Sequence, residues 1–519
     1  MKWILLIVAG TLILDGLAFG LLRPGFLVLP IGLLVILMFT VFRGRKTAKS
    51  VVGWSLGPGR RITDPERPEP LSDVVLPIDA LSLGVLGIGS PGSGKTESLL
   101  MGLLNYLGSL RKKTGWAAFD GKGQLDIFQK TVASGCPPDH FFSTELTQSA
   151  SMNLMAGNPE DVTDRLSKVL IGEAASTTYY ADDQRSVLLI IVPLMLGLGL
   201  RVNLRDLYVA LSVENAGTEL LLLAQEHGVD EHILKSARAW YSLDFTARLN
   251  NIKGLLNRLF VFVSGPYTDR INDYEPDISL EAAVSEGQRL YFHLPESRFS
   301  KDVAIMIIEQ LASIAKRRQQ GDLERATLYP LVFDDWGALF HPGFKPFSAR
   351  CRSAKMPLSF MFQSRAQLQD VSHTYETELD DNIATKVLFR INGQDTAEFA
   401  CRLIGTFETR EVSTSMLGDR DGTSLSMREV PRLKPADFKA LDPGEGYIST
   451  LLQTEAGTEN ALYKVRFPLV PMDGWQHVKL PEQTHVPVDF SDDGLNLWAR
   501  YMTPETLQQH AQRHPEEAA

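Results

Sequence analysis

The segment from Gly89 to Thr96 reads GSPGSGKT, and its residue types suit the binding of a phosphate. Glycine tolerates unusual backbone angles and has no side chain, so the N–H groups of such a turn can converge on an anion. Lys95 would add a mobile cation for the β- and γ-phosphates, and the Thr96 hydroxyl can ligate Mg²⁺. The pattern GxxxxGK[ST], between an apolar run and an apolar helical pattern, predicts a loop that binds ATP with Mg²⁺. The predicted binding residues are Gly89, Ser90, Pro91, Gly92, Ser93, Gly94, Lys95 and Thr96.

A second acidic group should lie at the end of a neighbouring strand, where it orders Mg²⁺ and the attacking water. The best match is LVFDDW, residues 331–336, in which apolar residues precede two aspartates. We assign Asp334 to the Mg²⁺ shell and Asp335 to polarising the water, a role that the longer glutamate fills more often. Both are predicted catalytic residues together with Lys95, although a strand can also end in aspartate merely because a turn follows.

Two further polar features flank the apolar run Leu358–Phe362. Gln363 follows the run and could hydrogen-bond the γ-phosphate or its water, or could only cap the strand. Upstream lies SARCRSAK, residues 348–355, where an arginine could reach the γ-phosphate of a neighbouring subunit. The alternative for this arginine is a solvated cationic helix end, and spacing alone does not decide between the two.

Strands and helices must bring these residues together, and the chain contains patterns for both. Strand-like runs separated by helical patterns predict an α/β fold with a mostly parallel sheet covered on both faces. The runs are Leu83–Ile88, Trp116–Phe119, Arg289–Leu294, Tyr329–Phe333, Leu358–Phe362 and Lys386–Ile391.

Between residues 155 and 280 helical periodicity dominates, which predicts an all-alpha insertion in the α/β domain. The expected helices are Glu160–Leu170, Asp183–Leu198, Leu204–Ser212, Thr218–His227, Glu231–Leu243 and Thr246–Val263. The strongly apolar stretch Val187–Leu200 contains Pro193 and is short for a membrane span, so we interpret it as a buried core helix.

The N-terminus contains two apolar segments, Trp3–Leu22 and Phe26–Phe42, separated by a three-residue turn. Basic residues follow the second segment at once, so the positive-inside rule predicts a transmembrane hairpin with both termini and the body in the cytoplasm. A signal peptide cleaved near Ala18-Phe19-Gly20 is the alternative. Asp15 could make a functional contact within the membrane or could lie near the outer interface.

The bulk composition limits the choice of partners. The 519 residues carry a formal net charge of -10, so a generally basic nucleic-acid coat is absent and any DNA contact must come from a local patch. The basic clusters at residues 111–113 and 316–318 could line a pore or could be solvated helix ends. The three cysteines show neither paired nor metal-binding spacing, which suits a reducing compartment.

These patterns divide the chain into five predicted regions. They are a transmembrane hairpin (1–45), the first part of a nucleotide-binding domain (46–154), an all-alpha insertion (155–280), the second part of the nucleotide-binding domain (281–482) and a polar C-terminal tail (483–519). Neither the insertion nor the tail carries a nucleotide motif, so we expect both to contact other macromolecules.

The order of the motifs resembles the coupling proteins of type IV secretion, the TraG/TraD-like ATPases of conjugation. The similar segments are GSPGSGKT, FDGKGQ (Phe119–Gln124), EGQRLYFHLP (Glu286–Pro295), VFDDWG, SFMFQSRAQL (Ser359–Leu368), Asn382–Gly405 and Pro431–Ile448. The resemblance implies a RecA-like P-loop domain with an inserted all-alpha domain. It further implies a homo-hexameric ring at the bacterial inner membrane. ATP hydrolysis would move DNA with its attached relaxase, or an effector protein, into a secretion channel, and single-stranded DNA is a candidate occupant of the pore.

The resemblance also assigns two residues, and it has two departures. Arg352 falls at the trans-acting arginine of the family, and Gln363 falls at its nucleotide-sensing glutamine. The turn between the two membrane segments is far shorter than the usual periplasmic segment, and Asp335 stands where glutamate is usual. Two other functions therefore stay open: a DNA translocase similar to FtsK and HerA, and a coupling adaptor that binds ATP without significant hydrolysis.

Overall fold

The structure is a computed structural model that describes residues 53–63, 69–110, 114–172, 179–323, 327–339, 344–369, 379, 381–417, 420–454, 457–482 and 485–502. The predicted membrane hairpin, Asp15 and the basic cluster at 111–113 lie outside the described residues, as does the tail beyond Met502. The body, from Trp54 onward, clusters as one compact unit.

An eleven-stranded sheet forms the centre of the described body, and a separate two-stranded hairpin, β10–β11, stands apart from it. The strand order is β2-β1-β13-β12-β9-β3-β8-β7-β4-β6-β5. The seven strands from β9 to β5 run parallel, and β12, β13 and β1 extend the sheet by antiparallel pairing. The strands are β1 (Gly53–Arg61), β2 (Ser72–Pro77), β3 (Val85–Ile88), β4 (Trp116–Asp120), β5 (His140–Ser143), β6 (Arg289–His293), β7 (Leu331–Asp334), β8 (Leu358–Phe362), β9 (Thr385–Leu388), β10 (Thr406–Leu417), β11 (Arg420–Pro431), β12 (Glu445–Thr454) and β13 (Gly457–Arg466).

The parallel strands are buried on both faces. Along β4, Ala117 and Phe119 belong to one hydrophobic cluster, whereas Trp116 and Ala118 belong to the other. Alternate residues of a strand point to opposite faces, so a strand covered on both sides reads as a continuous apolar run. This is why the six predicted strands are all present, and the α/β prediction is confirmed.

Helices cover both faces of the sheet. They are α1 (Ile78–Leu81), α2 (Met101–Ser109), α3 (Leu125–Ala133), α4 (Pro159–Leu170), α5 (Tyr179–Leu196), α6 (Leu204–Ser212), α7 (Glu214–Glu226), α8 (Glu231–Tyr241), α9 (Phe245–Val263), α10 (Leu280–Glu286), α11 (Arg298–Gln320), α12 (Trp336–Leu339), α13 (Phe344–Cys351), α14 (Arg365–Gln369), α15 (Gln394–Ile404), α16 (Pro435–Lys439) and α17 (Leu497–Tyr501). Two 3₁₀ turns occupy Thr268–Ile271 and Trp475–His477.

The helices α4 to α10 lie between β5 and β6 in the chain, where an all-helical segment was expected. Each of the six expected helices is present, and α6 has the expected bounds. Helix α6 begins at a capping box in which Asn203 and Asp206 exchange hydrogen bonds between side chain and backbone. On α5, Leu188, Ile191 and Val192 are fully buried, as a core helix requires.

No single helix among the described residues has both the length and the apolar character to cross a membrane. The pair α6 and α7 meets the length and composition requirements together, but it bends by 114° at its junction.

Residues 485–502, which we call the C-terminal strap, pack onto the helices of the insertion. The strap begins the region that the sequence indicated as a polar recruitment tail, yet Leu495 and Leu497 are buried. The amide of Leu497 donates to Asp206 Oδ1 over 2.8 Å, and the Tyr274 hydroxyl donates to Asp206 Oδ2 over 2.6 Å. Burial raises the pKa of Asp206 to about 6, although these hydrogen bonds act to lower it. This part of the predicted tail is therefore structural.

Replacing a buried strap residue should destabilise the protein. Leu497 is 0% exposed, so Leu497→Ala should lower the free energy of unfolding by about 3 kcal/mol through lost burial and a residual cavity. Chemical denaturation measures the loss. Leu222→Ala on α7 is the control, because that side chain is 59% exposed. Equal stability of the two variants would contradict the docking of the strap.

Candidate nucleotide-binding site

The predicted site residues come from neighbouring strands of the parallel part of the sheet. The loop from Gly89 follows β3, Asp334 ends β7, and Gln363 follows β8. Because β3, β8, β7 and β4 are adjacent and parallel, their carboxyl ends meet at one edge of the sheet. Ligands of open α/β sheets bind at this edge.

Glycines allow the phosphate loop to make two turns in the left-handed region, at Gly92 (φ 69°) and Gly94 (φ 97°). A Cβ atom on Gly94 would lie 2.8 Å from the backbone nitrogen of Gly444, so no larger residue fits there. A π-helical segment, Lys95–Leu100, begins directly after Gly94 and continues into α2. The first amides of a helix have no intrahelical acceptor and favour an anion.

The loop and the helical segment that follows it each contain a polar atom without a protein partner. Within the described part of the chain, Ser93 Oγ and Ser98 Oγ are buried and accept or donate no hydrogen bond. Buried polar groups are almost always paired, so unpaired ones beside a helix N-terminus fit a polar ligand. The residues present therefore suit a nucleotide phosphate.

Segments distant in sequence hold the phosphate loop in place. The amide of Ser90 donates to the Arg390 carbonyl over 2.8 Å, and the Asn392 amide donates to Ser90 Oγ over 2.9 Å. The Gly444 amide donates to the Ser93 carbonyl over 3.0 Å. The loop is thus fixed by the segment that follows β9 and by the turn before β12.

Lys95 lies inside the loop, with only 8% of the residue exposed. Its Nζ donates to the carbonyls of Gly89 and Ser90, the latter over 3.1 Å. Burial, followed by repulsion from Lys122, lowers the pKa of Lys95 to about 8. A desolvated ammonium interacts strongly with an anion placed beside it, as a phosphate in this loop would be.

The two predicted acids lie side by side but in different surroundings. Asp334 is 3% exposed, and burial raises its pKa although Lys122 opposes the shift. Asp335 is more accessible and adopts a left-handed backbone conformation with φ 50°. Its Oδ2 accepts from Gln363 Nε2 over 3.4 Å, and its Oδ1 accepts from Gln367 Nε2 over 3.1 Å. The structure thus brings Gln363 to the predicted water-polarising acid.

Thr96 and Asp334 provide one hydroxyl and one carboxylate for a metal. The described residues contain no cluster of three or more histidine, cysteine or acidic side chains that could hold a metal ion by themselves. Mg²⁺ is usually bound by one or two protein ligands together with phosphates and water. The donor set therefore fits a magnesium ion that arrives with its nucleotide.

Sequence reasoning missed residues that the structure adds to the site. Asp120 ends β4; its Oδ1 accepts from the amides of Lys122 and Gly123, and its Oδ2 accepts from the Tyr291 hydroxyl. Burial, followed by the charge of Asp334, raises the pKa of Asp120 to about 7. Lys122 Nζ donates to Asp334 Oδ2 over 3.3 Å. The signal available in the sequence was the motif FDGKGQ, which places Asp120 and Lys122 at the end of a strand.

Arg352 lies apart from the other predicted site residues. It is exposed and follows α13, before the first residue of β8, whereas the phosphate loop follows the last residue of the parallel strand β3. A five-residue strand separates its ends by roughly 15 Å. The structure therefore does not bring Arg352 to the phosphate loop of its own chain.

The second half of the site lies in a recognisable sequence segment. Residues 331–443 match the family model described as the TraM recognition site of TraD and TraG. The segment contains Asp334, Asp335, Arg352 and Gln363. The resemblance to the TraG/TraD family of type IV coupling proteins is confirmed.

The fold of a coupling protein is also found by structural comparison. The unbound bacterial conjugative coupling protein TrwB has a TM-score of 0.52 and 16% identity over 76% of this chain and 87% of that chain. TrwB with the GTP analogue GDPNP has a TM-score of 0.53 and 15% identity over 76% and 88%. TrwB with ADP and Mg²⁺ has a TM-score of 0.50 and 16% identity over 76% and 87%. No curated protein matches the chain in sequence. At these identities the likeness shows a shared fold.

Proposed function

We propose that this chain is an ATPase that drives the transfer of a macromolecule in type IV secretion. The observation that carries the proposal is the convergence of Lys95, Asp334 and Asp335 at the edge of the sheet where the phosphate loop begins. The TrwB structures with ADP and Mg²⁺ and with a GTP analogue support nucleotide and magnesium as ligands of this fold.

The side chains divide the chemistry between binding, charge stabilisation and water positioning. Thr96 and Asp334 would hold Mg²⁺, which when bound neutralises charge on the phosphates. Lys95 stabilises the charge that develops on the transferred phosphoryl group. Asp335 orients and polarises the attacking water, and the amides of Gln363 and Gln367 fix the two oxygens of its carboxylate.

The wider function that we propose follows the family resemblance. Six copies would form a RecA-like ring in which Arg352 of one subunit serves the phosphate loop of its neighbour. The ring would recruit DNA with an attached relaxase, or an effector protein with its adaptor, and deliver it to the secretion channel. The helices α4 to α10 would contact this cargo, and the segment 331–443 would contact an adaptor of the TraM kind.

The proposed location is the bacterial inner membrane, with a two-helix hairpin at residues 1–45 and both termini in the cytoplasm. The support is the pair of apolar segments followed by a basic flank. Fusions of a compartment-sensitive reporter at residue 50 and at the C-terminus should both report the cytoplasm. A periplasmic signal from either fusion would exclude the hairpin.

A coupling adaptor without significant hydrolysis is the second candidate. Asp335 favours it, because its carboxylate is one methylene shorter than that of the usual glutamate. Steady-state ATPase assays of the purified protein, with and without single-stranded DNA, separate the two. Negligible turnover in both assays would favour the adaptor.

The substitution Asp335→Asn should leave nucleotide bound but slow its hydrolysis by about 100-fold or more, because the amide cannot accept the proton of the attacking water. Asparagine tolerates the left-handed backbone at this position, so the fold should persist. The measurement is single-turnover hydrolysis beside nucleotide affinity. Asp126→Asn at the start of α3 serves as the control acid. Unchanged turnover in Asp335→Asn would move the water-polarising role to another residue.

A further inference from the structure

The Lys122 side chain neutralises the acid to which we assign Mg²⁺. Its Nζ lies 3.3 Å from Asp334 Oδ2 and 4.0 Å from Asp335 Oδ2. Only 4% of the Asp334 side chain is exposed, and Lys122 is the cation that most offsets this burial. Although burial opposes it, attraction to the two carboxylates raises the pKa of Lys122 above its ordinary value. The ammonium and the metal would therefore compete for one carboxylate.

Two lysines share this small site, but they are held differently. Lys95 is 8% exposed inside the phosphate loop, whereas 29% of the Lys122 side chain is exposed. The backbone of Lys122 is anchored, since its amide donates to Asp120 Oδ1 over 3.0 Å. A fixed backbone with a partly exposed four-carbon side chain leaves the ammonium free to change partners within the site.

We propose that Lys122 is an exchangeable counter-ion that neutralises Asp334 before nucleotide binds and transfers to the γ-phosphate when Mg²⁺ takes Asp334. This inference rests on the proposed ATPase function. A desolvated ammonium that loses its carboxylate needs another anion nearby, and ATP supplies one phosphoryl group more than ADP. Lys122 would thereby make the site favour a triphosphate over a diphosphate.

The test compares nucleotide binding by the full-length protein and by its Lys122→Met variant. A fluorescent ADP and a non-hydrolysable ATP analogue are titrated in Mn²⁺, and the Mn²⁺ concentration that gives half-maximal ADP binding is measured. Without the competing ammonium, Lys122→Met should need about tenfold less Mn²⁺. It should bind the ATP analogue about tenfold more weakly but bind ADP at saturating Mn²⁺ as the wild type does.

Matched variants separate this role from a structural one. Lys122→Arg keeps a cation and should retain the triphosphate preference. Lys122→Gln is a second neutral variant that should show the same binding changes as Lys122→Met, and it replaces Lys122→Met if that variant has a lowered melting temperature. Lys235→Met removes an exposed lysine on α8 and should behave as the wild type. An unchanged Mn²⁺ requirement, or equal weakening of ADP and ATP analogue, would overturn the exchange.

Nucleotide binding by the wild-type protein tests the proposed function separately from the exchange of Lys122. If the wild-type protein binds neither nucleotide in the presence of the metal, the proposed function itself is wrong. If the wild type binds and hydrolyses ATP while both neutral Lys122 variants match its binding, only the exchange of Lys122 is wrong.

Discussion

The variant Lys95→Ala should lose at least about 100-fold in ATP hydrolysis, together with most of its nucleotide affinity. The ammonium lies inside the loop, 3.1 Å from the Ser90 carbonyl, where it would meet the β- and γ-phosphates. Alanine removes this charge and the hydrogen bonds to the Gly89 and Ser90 carbonyls, of which the Ser90 carbonyl keeps the Ser93 amide, so part of the loss would come from the loop itself. Transfer of cargo should fail with hydrolysis.

Steady-state hydrolysis and nucleotide affinity of purified protein measure this effect. Lys235→Ala on the exposed face of α8 is the matched control and should retain full activity. Near-normal hydrolysis by Lys95→Ala would remove the phosphate-loop assignment, because no other lysine lies inside the loop.

The variant Arg352→Ala should bind ATP normally yet hydrolyse it about 1,000-fold more slowly, even when assembled. Arg352 is exposed and precedes the first residue of β8, whereas the phosphate loop of the same chain lies near the last residue of β8. A role in hydrolysis therefore requires a second subunit. A head-to-tail ring interface would place this arginine beside the neighbour's nucleotide.

Mixing two inactive proteins tests this directly. In a ring that contains Lys95→Ala and Arg352→Ala subunits, the first kind can lend its Arg352 to an intact phosphate loop of the second kind. Partial recovery of hydrolysis is the expected result, and Arg350→Ala, an exposed neighbour on α13, is the control that should stay active. No recovery in rings whose co-assembly is verified would assign Arg352 to its own subunit or to structure alone.

The centre of the sheet could be predicted from the sequence because burial on both faces makes each strand a continuous apolar run. The antiparallel strands could not, since half-exposed strands such as β13 mix buried and exposed residues. Strand β5, with the sequence HFFS, is too short to stand out from its surroundings. The helices α4 to α9 were predictable because a 3.6-residue period persists along each of them, from 9 residues in α6 to 19 residues in α9.

The predicted site residues could be found where a motif places them at strand ends. Asp334 and Gln363 came from apolar runs that end in polar residues, and β7 and β8 do bring them to one edge. The pairing of Lys122 with Asp334, which lies 212 residues further along the chain, could not be predicted because it depends on β4 lying next to β7. The docking of the C-terminal strap was also missed, because the strap is mostly polar and its two buried leucines do not form a recognisable pattern.

The strap also has a consequence for how the protein is made. The Leu497 amide bonds to Asp206, 291 residues earlier in the chain. At ribosomal elongation rates, roughly 15 to 60 s separate the synthesis of these two residues. Throughout that time the nascent helical insertion lacks the amides of Leu497 and Asn496, which donate to Asp206 and to the Tyr274 hydroxyl, so its packing is completed only after the strap has been synthesised. Chaperones that recognise exposed apolar surface would then meet the insertion before the strap covers it, and a chain truncated before residue 485 would lack the burial of Leu495 and Leu497.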